Sequence, residues 1–454
     1  MRRFDFAGGA VASAIWIMAG CQVPTPERGK TPDPLGWFAD MIDHCCDFAD
    51  AAKAQGRPVV GIMCEFTPRE IILAAGAVPV CLCGGSAATI PAAEQFLPAN
   101  LCPLIKSTFG YHVQGSNPFL NQADLVVAET TCDGKKKMFE LMGASKPMYV
   151  LELPQKSDDV DALEHWTREV RKFKEHLEQR LKTAITDEKL RGGIRLMNRE
   201  RGLRRRLADL MMADNPRLTG RQLLEFKSII SGIEADLQQY EQAIRFFGDR
   251  ADGSQKPTGD AQGRTVAAEV EAQEPRVESA ARTRLEATLS HRMGEGEGER
   301  RVRVLLTGVP IVHGAERVLD LIENCGAVVV CMENCTGLKP ILEDVDESDT
   351  DPIHAIARKY YHLPCSVMTS NTRRLETLRA LKAKFRPQCV IELVWQACLT
   401  YDVESYHVRK LVEEELRLPY LKITTDYSPS DSARITARVE ALVETVRART
   451  TNIP

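Results

Sequence analysis

Short apolar runs alternate with helical patterns in two separate blocks of the chain, and this alternation restricts the fold more than any other feature. The runs are rich in Val, Ile and Leu, as expected for strands buried on both faces of a sheet. They cover residues 59–63, 78–82, 124–128, 302–306, 327–331 and 389–395. Because parallel strands need a crossover between them, the pattern predicts an α/β protein with two doubly wound, Rossmann-like parallel-sheet domains.

The segments outside these two blocks have a different composition. Residues 156–247 carry apolar side chains at three- to four-residue spacing, which predicts a helical segment. Residues 248–300 contain no Phe, Trp, Tyr, Ile or Cys. A segment of this composition buries too little apolar surface to offset its ordering entropy, so we expect a disordered linker. The α/β domains are therefore expected at residues 31–155 and 301–454.

The first 30 residues allow two interpretations. Arg2 and Arg3 precede an uncharged run that ends at Cys21, a pattern that resembles a secretory signal with a lipoprotein cleavage site. In that case Cys21 would be the lipid-bearing first residue of an exported protein. The alternative is an N-terminal extension. No later stretch reaches the roughly 18 apolar residues that a membrane-spanning helix requires.

Charge and cysteine content narrow the function classes. The net charge is 59 − 63 = −4, so no overall basic field recruits nucleic acid or anionic lipid. The 454 residues include 14 cysteines. A chain of this length builds a large core without disulfide bonds, so the cysteines are metal ligands, redox thiols or small buried apolar residues.

Six of the cysteines lie in loops, and most of these loops follow a predicted strand. They are Cys64, Cys102, Cys132, Cys335, Cys365 and Cys398. Open α/β sheets bind ligands beyond the carboxyl ends of their strands, so loop cysteines from two blocks favour an iron–sulfur site across an interdomain cleft. None of them forms a compact Cys-x-x-Cys motif, and the spacing alone leaves metal binding open.

The remaining cysteines are assigned by their apolar surroundings. Four lie in or beside apolar strands or helices and are predicted to be core residues, namely Cys81, Cys325, Cys331 and Cys389. The pair Cys45–Cys46 is assigned to helix packing. Cys83 stays open, because a Cys-x-Cys pair with Cys81 could offer a seventh thiolate.

Several sequence motifs carry a family resemblance. They are CEFTPREIILAAGA at 64–77, NLCPLIKS at 100–107, ETTCDGKKK at 129–137, ENCTG at 333–337, QACLTY at 396–401 and LKITTDYS at 421–428. The chain resembles the 2-hydroxyacyl-CoA dehydratase and benzoyl-CoA reductase D-component family, and these motifs are similar to its double-cubane cluster protein branch. The resemblance covers about residues 35–247 and 301–450.

The resemblance implies a cofactor, its ligands and a set of partners. Ordinary dehydratase subunits hold one [4Fe-4S] cubane with three cysteines, whereas six matching cysteines imply an [8Fe-9S] double cubane. By motif, the implied ligands are Cys64, Cys102, Cys132, Cys335, Cys365 and Cys398. The resemblance also implies a homodimer and electron supply by a separate ATP-hydrolysing iron–sulfur activator. An oxygen-sensitive site of this kind favours a cytoplasmic location over export through Cys21.

Three functions follow as hypotheses. The first is an ATP-dependent iron–sulfur reductase that reduces a small substrate, and the second is an (R)-2-hydroxyacyl-CoA dehydratase subunit with a [4Fe-4S] cluster. A basic, open groove would favour the dehydratase, and a small closed cavity would favour the reductase. The third is a non-catalytic metal-binding or thiol-redox protein. Glu129, Glu333 and Glu392 lie near cluster cysteines and are predicted to deliver protons, unless they only cap helices or bind backbone amides.

Overall fold

The computed structural model describes residues 34–248 and 300–451. Within them lie two four-stranded sheets in which every strand pair is parallel. This confirms the predicted α/β class with two Rossmann-like sheets. The N-terminal extension with Cys21 lies outside the described residues, and so does the predicted linker apart from Gly248 and Arg300.

The N-terminal sheet has the strand order β2-β1-β3-β4. Its strands are β1 (Val59–Ile62), β2 (Val78–Cys81), β3 (Leu125–Glu129) and β4 (Met148–Leu151). All residues of β1 and β3 are buried. Helices therefore cover both faces of this sheet, which explains why its central strands are continuous apolar runs.

The C-terminal sheet repeats this order as β6-β5-β7-β8. Its strands are β5 (Val302–Gly308), β6 (Ala327–Glu333), β7 (Cys389–Trp395) and β8 (Tyr420–Thr425). The three strands β5, β6 and β7 are buried along their whole length. The same strand order in both sheets matches the alternation of strands and helices in both sequence blocks.

Sixteen α-helices of the described residues surround the sheets. They are α1 (Pro34–Ala39), α2 (Met41–Ala54), α3 (Arg69–Ala74), α4 (Ile90–Ala93), α5 (Pro103–Gln114), α6 (Pro118–Gln122), α7 (Asp133–Gly143), α8 (Val160–Leu181), α9 (Asp187–Asp209), α10 (Gly220–Glu225), α11 (Glu234–Gly248), α12 (Arg317–Asn324), α13 (Pro352–Tyr361), α14 (Thr372–Phe385), α15 (Leu399–Lys410) and α16 (Ser432–Thr451). None of them is long and apolar enough to cross a membrane.

The two halves share their cores. Trp166 of α8 and Tyr360 of α13 pack in one cluster with Val127 of β3, so a helix of the C-terminal half covers the N-terminal sheet. A second cluster joins residues of both sheets, including Val126 and Trp395. Hydrophobic burial therefore holds the halves in a fixed relation, and the loops at their strand ends face one another.

A buried polar contact ties helices α3, α9 and α13 together. Arg201 of α9 forms an ion pair with Glu70 of α3, and the Tyr360 hydroxyl donates a hydrogen bond of 2.7 Å to Glu70. Burial alone would raise the pKa of Glu70, but Arg201 and Lys359 lower it below its usual value. A charge this deeply buried is tolerated only because it is paired and hydrogen-bonded.

The structure differs from the sequence prediction at some elements. Strands β4 and β8 were not predicted. Both are partly exposed edge strands; β8 mixes polar with apolar residues, and β4 is an apolar run of only four residues. The apolar pattern of residues 404–416 predicts a helix there; in the structure this helix begins earlier, at Leu399, and continues into a π-helical turn at Leu411–Glu415. The apolar pattern indicated the buried half of this helix but not its exposed first turn.

Candidate metal centre

A cavity of about 2700 Å³ opens where the carboxyl ends of the two sheets meet. All six predicted ligand cysteines line it. The wall contains the cysteines Cys64, Cys81, Cys83, Cys102, Cys132, Cys335, Cys365 and Cys398. The fold therefore brings residues that are more than 300 positions apart in sequence into one sulfur-rich chamber.

Three of the predicted ligands directly precede helices. Cys102 precedes α5, Cys132 precedes α7 and Cys398 precedes α15. The first turn of a helix has unpaired backbone N–H groups and a partial positive charge, which favours a thiolate placed there. Pro103 occupies the first position of α5, where a missing N–H costs nothing.

The other three predicted ligands lie in loops and turns. Cys64 follows β1 and Cys335 follows β6, so both lie at strand ends. Cys365 lies after α13 and is buried, with its backbone N–H bonded to the Leu363 carbonyl at 2.8 Å. Two of these residues belong to the C-terminal half and one to the N-terminal half.

Contacts between the thiols cross the interdomain boundary. The thiols of Cys102 and Cys398 interact with each other; this interaction lowers the pKa of Cys102 and raises that of Cys398. Cys132 interacts electrostatically with Cys398 and Cys365. The Cys64 thiol interacts in the same way with Cys335 and Cys365. The six thiols thus form two neighbouring sets, Cys64 with Cys335 and Cys365, and Cys102 with Cys132 and Cys398, and the interaction of Cys132 with Cys365 links the two sets.

The spacing of these thiols limits which metal group they fit. Within residues 34–248 and 300–451, no three His, Cys, Asp or Glu side chains converge closely enough to hold a single metal ion. A structural zinc site would need four converging ligands. The cysteines of an iron–sulfur cluster each bind a different iron, so they need not converge on one point. The sulfur-only donor set fits such a cluster.

Two lysines neighbour the thiols, one from each half. The Lys135 ammonium donates to the Met63 carbonyl at 3.1 Å and interacts with Cys64, Cys83 and Cys132. The Lys339 ammonium is buried; it donates to the Tyr401 hydroxyl at 2.9 Å and forms an ion pair with Glu333 at 3.0 Å.

Burial and these lysines shift the pKa values of the thiols in opposite directions. Burial raises the pKa of Cys64 and raises that of Cys335 to about 12, while the nearby Lys135 and Lys339 oppose the increase. Thiolates in this chamber therefore depend on positive charge close by, from the lysines or from bound metal.

The three carboxylates predicted to deliver protons are fully buried behind the cavity wall. Glu129 accepts a hydrogen bond from Thr67. Glu333 and Glu392 are joined by Arg374, which donates to each of them at 3.1 Å. None of the three lines the cavity formed by the described residues.

The pKa values of Glu129 and Glu333 shift in opposite directions, although both carboxylates are buried. Burial raises the pKa of Glu129 to about 7, against smaller opposing effects of Thr67 and Lys135. Burial also opposes ionisation of Glu333, but Lys339 and Arg374 outweigh it and lower the pKa of that carboxyl.

Sequence reasoning missed one polar pair in the cavity wall. Glu65 and Arg69 both line the cavity and form an ion pair at 2.8 Å. Burial would raise the pKa of Glu65, but Arg69 and Lys227 lower it to about 2. Opposite charges four residues apart, across a strand-to-helix turn beside a cysteine, were the available signal.

The assignments of the other cysteines had mixed outcomes. Cys331 and Cys389 are buried in the core, as predicted. Cys325 is only partly buried but packs against the core. The core assignment of Cys81 was wrong, because this partly exposed residue lines the cavity, where Arg69 donates to its sulfur at 3.5 Å. Cys81 is the last residue of β2, so it lies at the carboxyl end of a parallel strand, where binding crevices form; this position was the available signal.

The comparison with protein families agrees with this geometry. The family model for the D-component of 2-hydroxyglutaryl-CoA dehydratase matches residues 64–446. The chain belongs to this family. The match includes all six predicted ligand cysteines and confirms the family resemblance seen in the sequence motifs.

Individual relatives carry dehydratase and reductase names. YjiM of Escherichia coli, whose name marks it provisionally as a dehydratase subunit, is 36% identical over 395 residues, 86% of this chain and 92% of YjiM. The beta subunit of (R)-phenyllactyl-CoA dehydratase from Clostridium sporogenes is 21% identical over 90% of this chain and 97% of its own length. A benzoyl-CoA reductase subunit from Thauera aromatica is 28% identical over 36% of this chain and 46% of its own. The chain is therefore a 2-hydroxyacyl-CoA dehydratase-type protein.

Proposed function

We propose that this protein is an ATP-dependent iron–sulfur reductase that holds an [8Fe-9S] double-cubane cluster in the interdomain cavity. The observation that carries the proposal is the convergence of six cysteines from both halves on one chamber. A single cubane of the kind held by ordinary dehydratase subunits would leave three of them without a role. Bound there, the cluster supplies electrons at very low potential.

The two sets of neighbouring thiols suggest how the ligands divide. Cys64, Cys335 and Cys365 would hold one cubane, and Cys102, Cys132 and Cys398 would hold the other. Each set takes residues from both halves, so neither half completes a site alone. Burial and hydrogen bonding around the sulfur atoms set the potential of such a group.

Positive charge and proton supply are assigned to nearby residues. Lys135 and Lys339 would offset the negative charge of the thiolates. Among the three buried carboxylates, Glu129 is proposed to hold an exchangeable proton, because its pKa of about 7 lets both forms exist near neutral pH. Glu333, whose pKa is lowered, is proposed to stay ionised beside Arg374. Together with Glu392, which also pairs with Arg374, it is proposed to fix the loops that carry Cys335 and Cys398.

The partners and location extend the same proposal. Electrons would come from a separate ATP-hydrolysing [4Fe-4S] activator, and the working unit would be a homodimer in the cytoplasm. The substrate would be a small molecule that reaches the cavity. These assignments come from the family resemblance.

One observation favours the dehydratase as a second candidate. The cavity of about 2700 Å³ is far larger than a small substrate needs, and ligand pockets typically measure about 300–1,000 Å³. Its wall also carries Arg217 and Arg301, two cations suited to phosphate groups. Acidic residues such as Asp320 and Glu323 share the wall, so the chamber is not uniformly basic.

Anaerobic purification followed by iron and sulfide analysis tests the proposal. We expect about eight irons per chain, from two cubanes with three thiolates each. About four irons would favour the dehydratase arrangement, and stoichiometric zinc without iron would contradict both enzyme proposals. Cys132→Ser and Cys398→Ser should each lower the iron content and change the EPR spectrum, because a serine hydroxyl replaces a thiolate poorly at iron.

A further inference from the structure

The backbone carbonyl of Met63 accepts two side-chain hydrogen bonds. The Cys83 thiol donates to it at 3.0 Å, and the Lys135 ammonium donates at 3.1 Å. Met63 lies between the last residue of β1 and Cys64. The carbonyl therefore ties the loop that carries a proposed cluster ligand to a thiol from the end of β2 and to a helix from the end of β3.

The backbone around Cys83 leaves little freedom for this thiol. Leu82 donates its N–H to the Ile62 carbonyl at 2.9 Å. A Cβ atom at Gly84 would lie 2.3 Å from the Tyr111 ring, and one at Gly85 would lie 2.4 Å from the Val312 side chain of the C-terminal half. The loop after β2 is thus fitted between α5 and the other half, and it presents Cys83 to the Met63 carbonyl.

The Cys83 thiol is directed at the backbone carbonyl of the residue that precedes a proposed ligand, and Lys135 is directed at the same carbonyl. We propose that Cys83 and Lys135 are positioning residues that hold the Met63 carbonyl and thereby direct Cys64 toward the cluster, and that Cys83 is not a seventh ligand. This inference rests on the proposed function, since it concerns the group that Cys64 would bind.

The hydrogen bonds from Cys83 and Lys135 to the Met63 carbonyl form an anchor for the Cys64 loop, and the effect of such an anchor on metal binding has a known size. Hydrogen bonds behind metal ligands typically account for about 10–100-fold in metal affinity or activity when their partners are mutated. Lys135 also brings positive charge to the thiols, so its replacement combines two effects. Cys83 carries no charge as a thiol, and its replacement therefore isolates the anchor.

A pair of substitutions at Cys83 separates an anchor from a ligand. Cys83→Ser keeps a donor for the Met63 carbonyl, whereas Cys83→Ala removes it. With the anaerobically purified full chain, we expect Cys83→Ser to retain iron like the wild type during a chelator challenge. Cys83→Ala should lose iron roughly tenfold faster. Loss from both variants at the same raised rate would show that the sulfur itself is required, and wild-type behaviour of Cys83→Ala would show that no anchor is needed; either result overturns the proposal.

The lysine has a matched control in the same helix. Lys135→Met should accelerate iron loss at least as much as Cys83→Ala. Lys137→Met should not, because Lys137 is exposed and paired with Glu140. Equal retention of iron in the two methionine variants would overturn the role of Lys135.

A measurement without metal keeps the inference separate from the proposed function. In the metal-free full chain, hydrogen exchange of a peptide spanning residues 62–67 should be faster in Cys83→Ala than in the wild type and unchanged in Cys83→Ser. Absence of iron from the wild type would refute the cluster but leave this result to decide on the anchor. Unchanged exchange in Cys83→Ala would refute the anchor, whatever the wild type binds.

Discussion

The two halves of the molecule each bury a carboxylate at a strand end behind the cysteines, but they compensate its charge differently. In the N-terminal half, Glu129 accepts one hydrogen bond from Thr67, and its other oxygen has no hydrogen-bond partner among the described residues. In the C-terminal half, Glu333 accepts from Thr307 at 2.5 Å and contacts two buried cations, Lys339 and Arg374.

This difference shows that one sequence pattern can serve two electrostatic roles. A threonine-bonded glutamate without a contacting cation keeps its proton up to a pKa of about 7. The same group with two cations in contact has a lowered pKa and stays ionised. The N-terminal half is thus suited to proton exchange, and the C-terminal half supplies a fixed charge network.

The largest expected effect on the free energy of unfolding concerns Glu333, the carboxylate in contact with two cations. Glu333→Gln removes the negative charge that faces Lys339 and Arg374, and a broken buried ion pair typically costs about 3–5 kcal/mol. Urea unfolding of the metal-free protein at pH 7 measures this loss. Since the folded-state pKa of Glu333 is lowered, its contribution is present above the unfolded pKa and disappears as the pH falls through the folded pKa. A loss below about 1 kcal/mol would mean that the two halves do not differ as described.

Glu129, the carboxylate without a contacting cation, should contribute to stability with the opposite pH dependence to Glu333. Its folded pKa of about 7 lies above the ordinary value of 4.5, so the stability it contributes is present below pH 4.5 and is lost as the pH rises through 7. Glu129→Gln removes this dependence. Relative to the wild type, the variant should therefore gain roughly 3 kcal/mol of unfolding free energy between pH 4.5 and pH 8. Unfolding measurements on Glu333→Gln over the same pH range should not show this gain. If the difference in unfolding free energy between Glu129→Gln and the wild type did not change with pH, the pKa of Glu129 would lie near the ordinary value.

The smallest expected effect concerns cysteines that pack in the core of each half. Cys389 of β7 is buried among apolar residues, and Cys45 of α2 is buried with its sulfur 3.3 Å from the Ser228 hydroxyl. Cys389→Ala should cost about 1 kcal/mol in thermal unfolding, and Cys45→Ala slightly more because it also leaves Ser228 without this contact. Iron content should be unchanged in both. If Cys389→Ala stripped the iron while Cys132→Ser retained it, the six-ligand assignment would be wrong.

The sequence allowed prediction of the elements whose burial is complete. Strands β1, β3, β5, β6 and β7 are buried along their length and mostly apolar because helices cover both faces, and such runs are recognisable without neighbours. Edge strands β4 and β8 are partly exposed; β4 has only four residues, and β8 mixes polar with apolar residues. Their place depends on pairing with β3 and β7, which a local pattern does not contain.

Some features of the candidate site could likewise be predicted from the local sequence pattern, and others could not. The positions of Cys132 and Cys398, after a strand and before a helix, could be inferred from local pattern, and both line the cavity. The exposure of Cys81 to that cavity could not, because it depends on which loops approach β2. The contact between Lys339 and Glu333, six residues apart, also arises only when the turn after β6 folds back on the strand.

The sequence by itself determined the fold class and the loop cysteines, because burial periodicity and strand-end placement are local properties of a chain. Only the tertiary structure decided which cysteines neighbour one another across the halves, as with Cys102 and Cys398. It also decided the acidity of Glu129 and Glu333, identical side chains that differ in the cations placed beside them. The physical reason is that desolvation and Coulomb interactions depend on distances through space, and residues far apart in sequence set those distances only when the two sheets pack together.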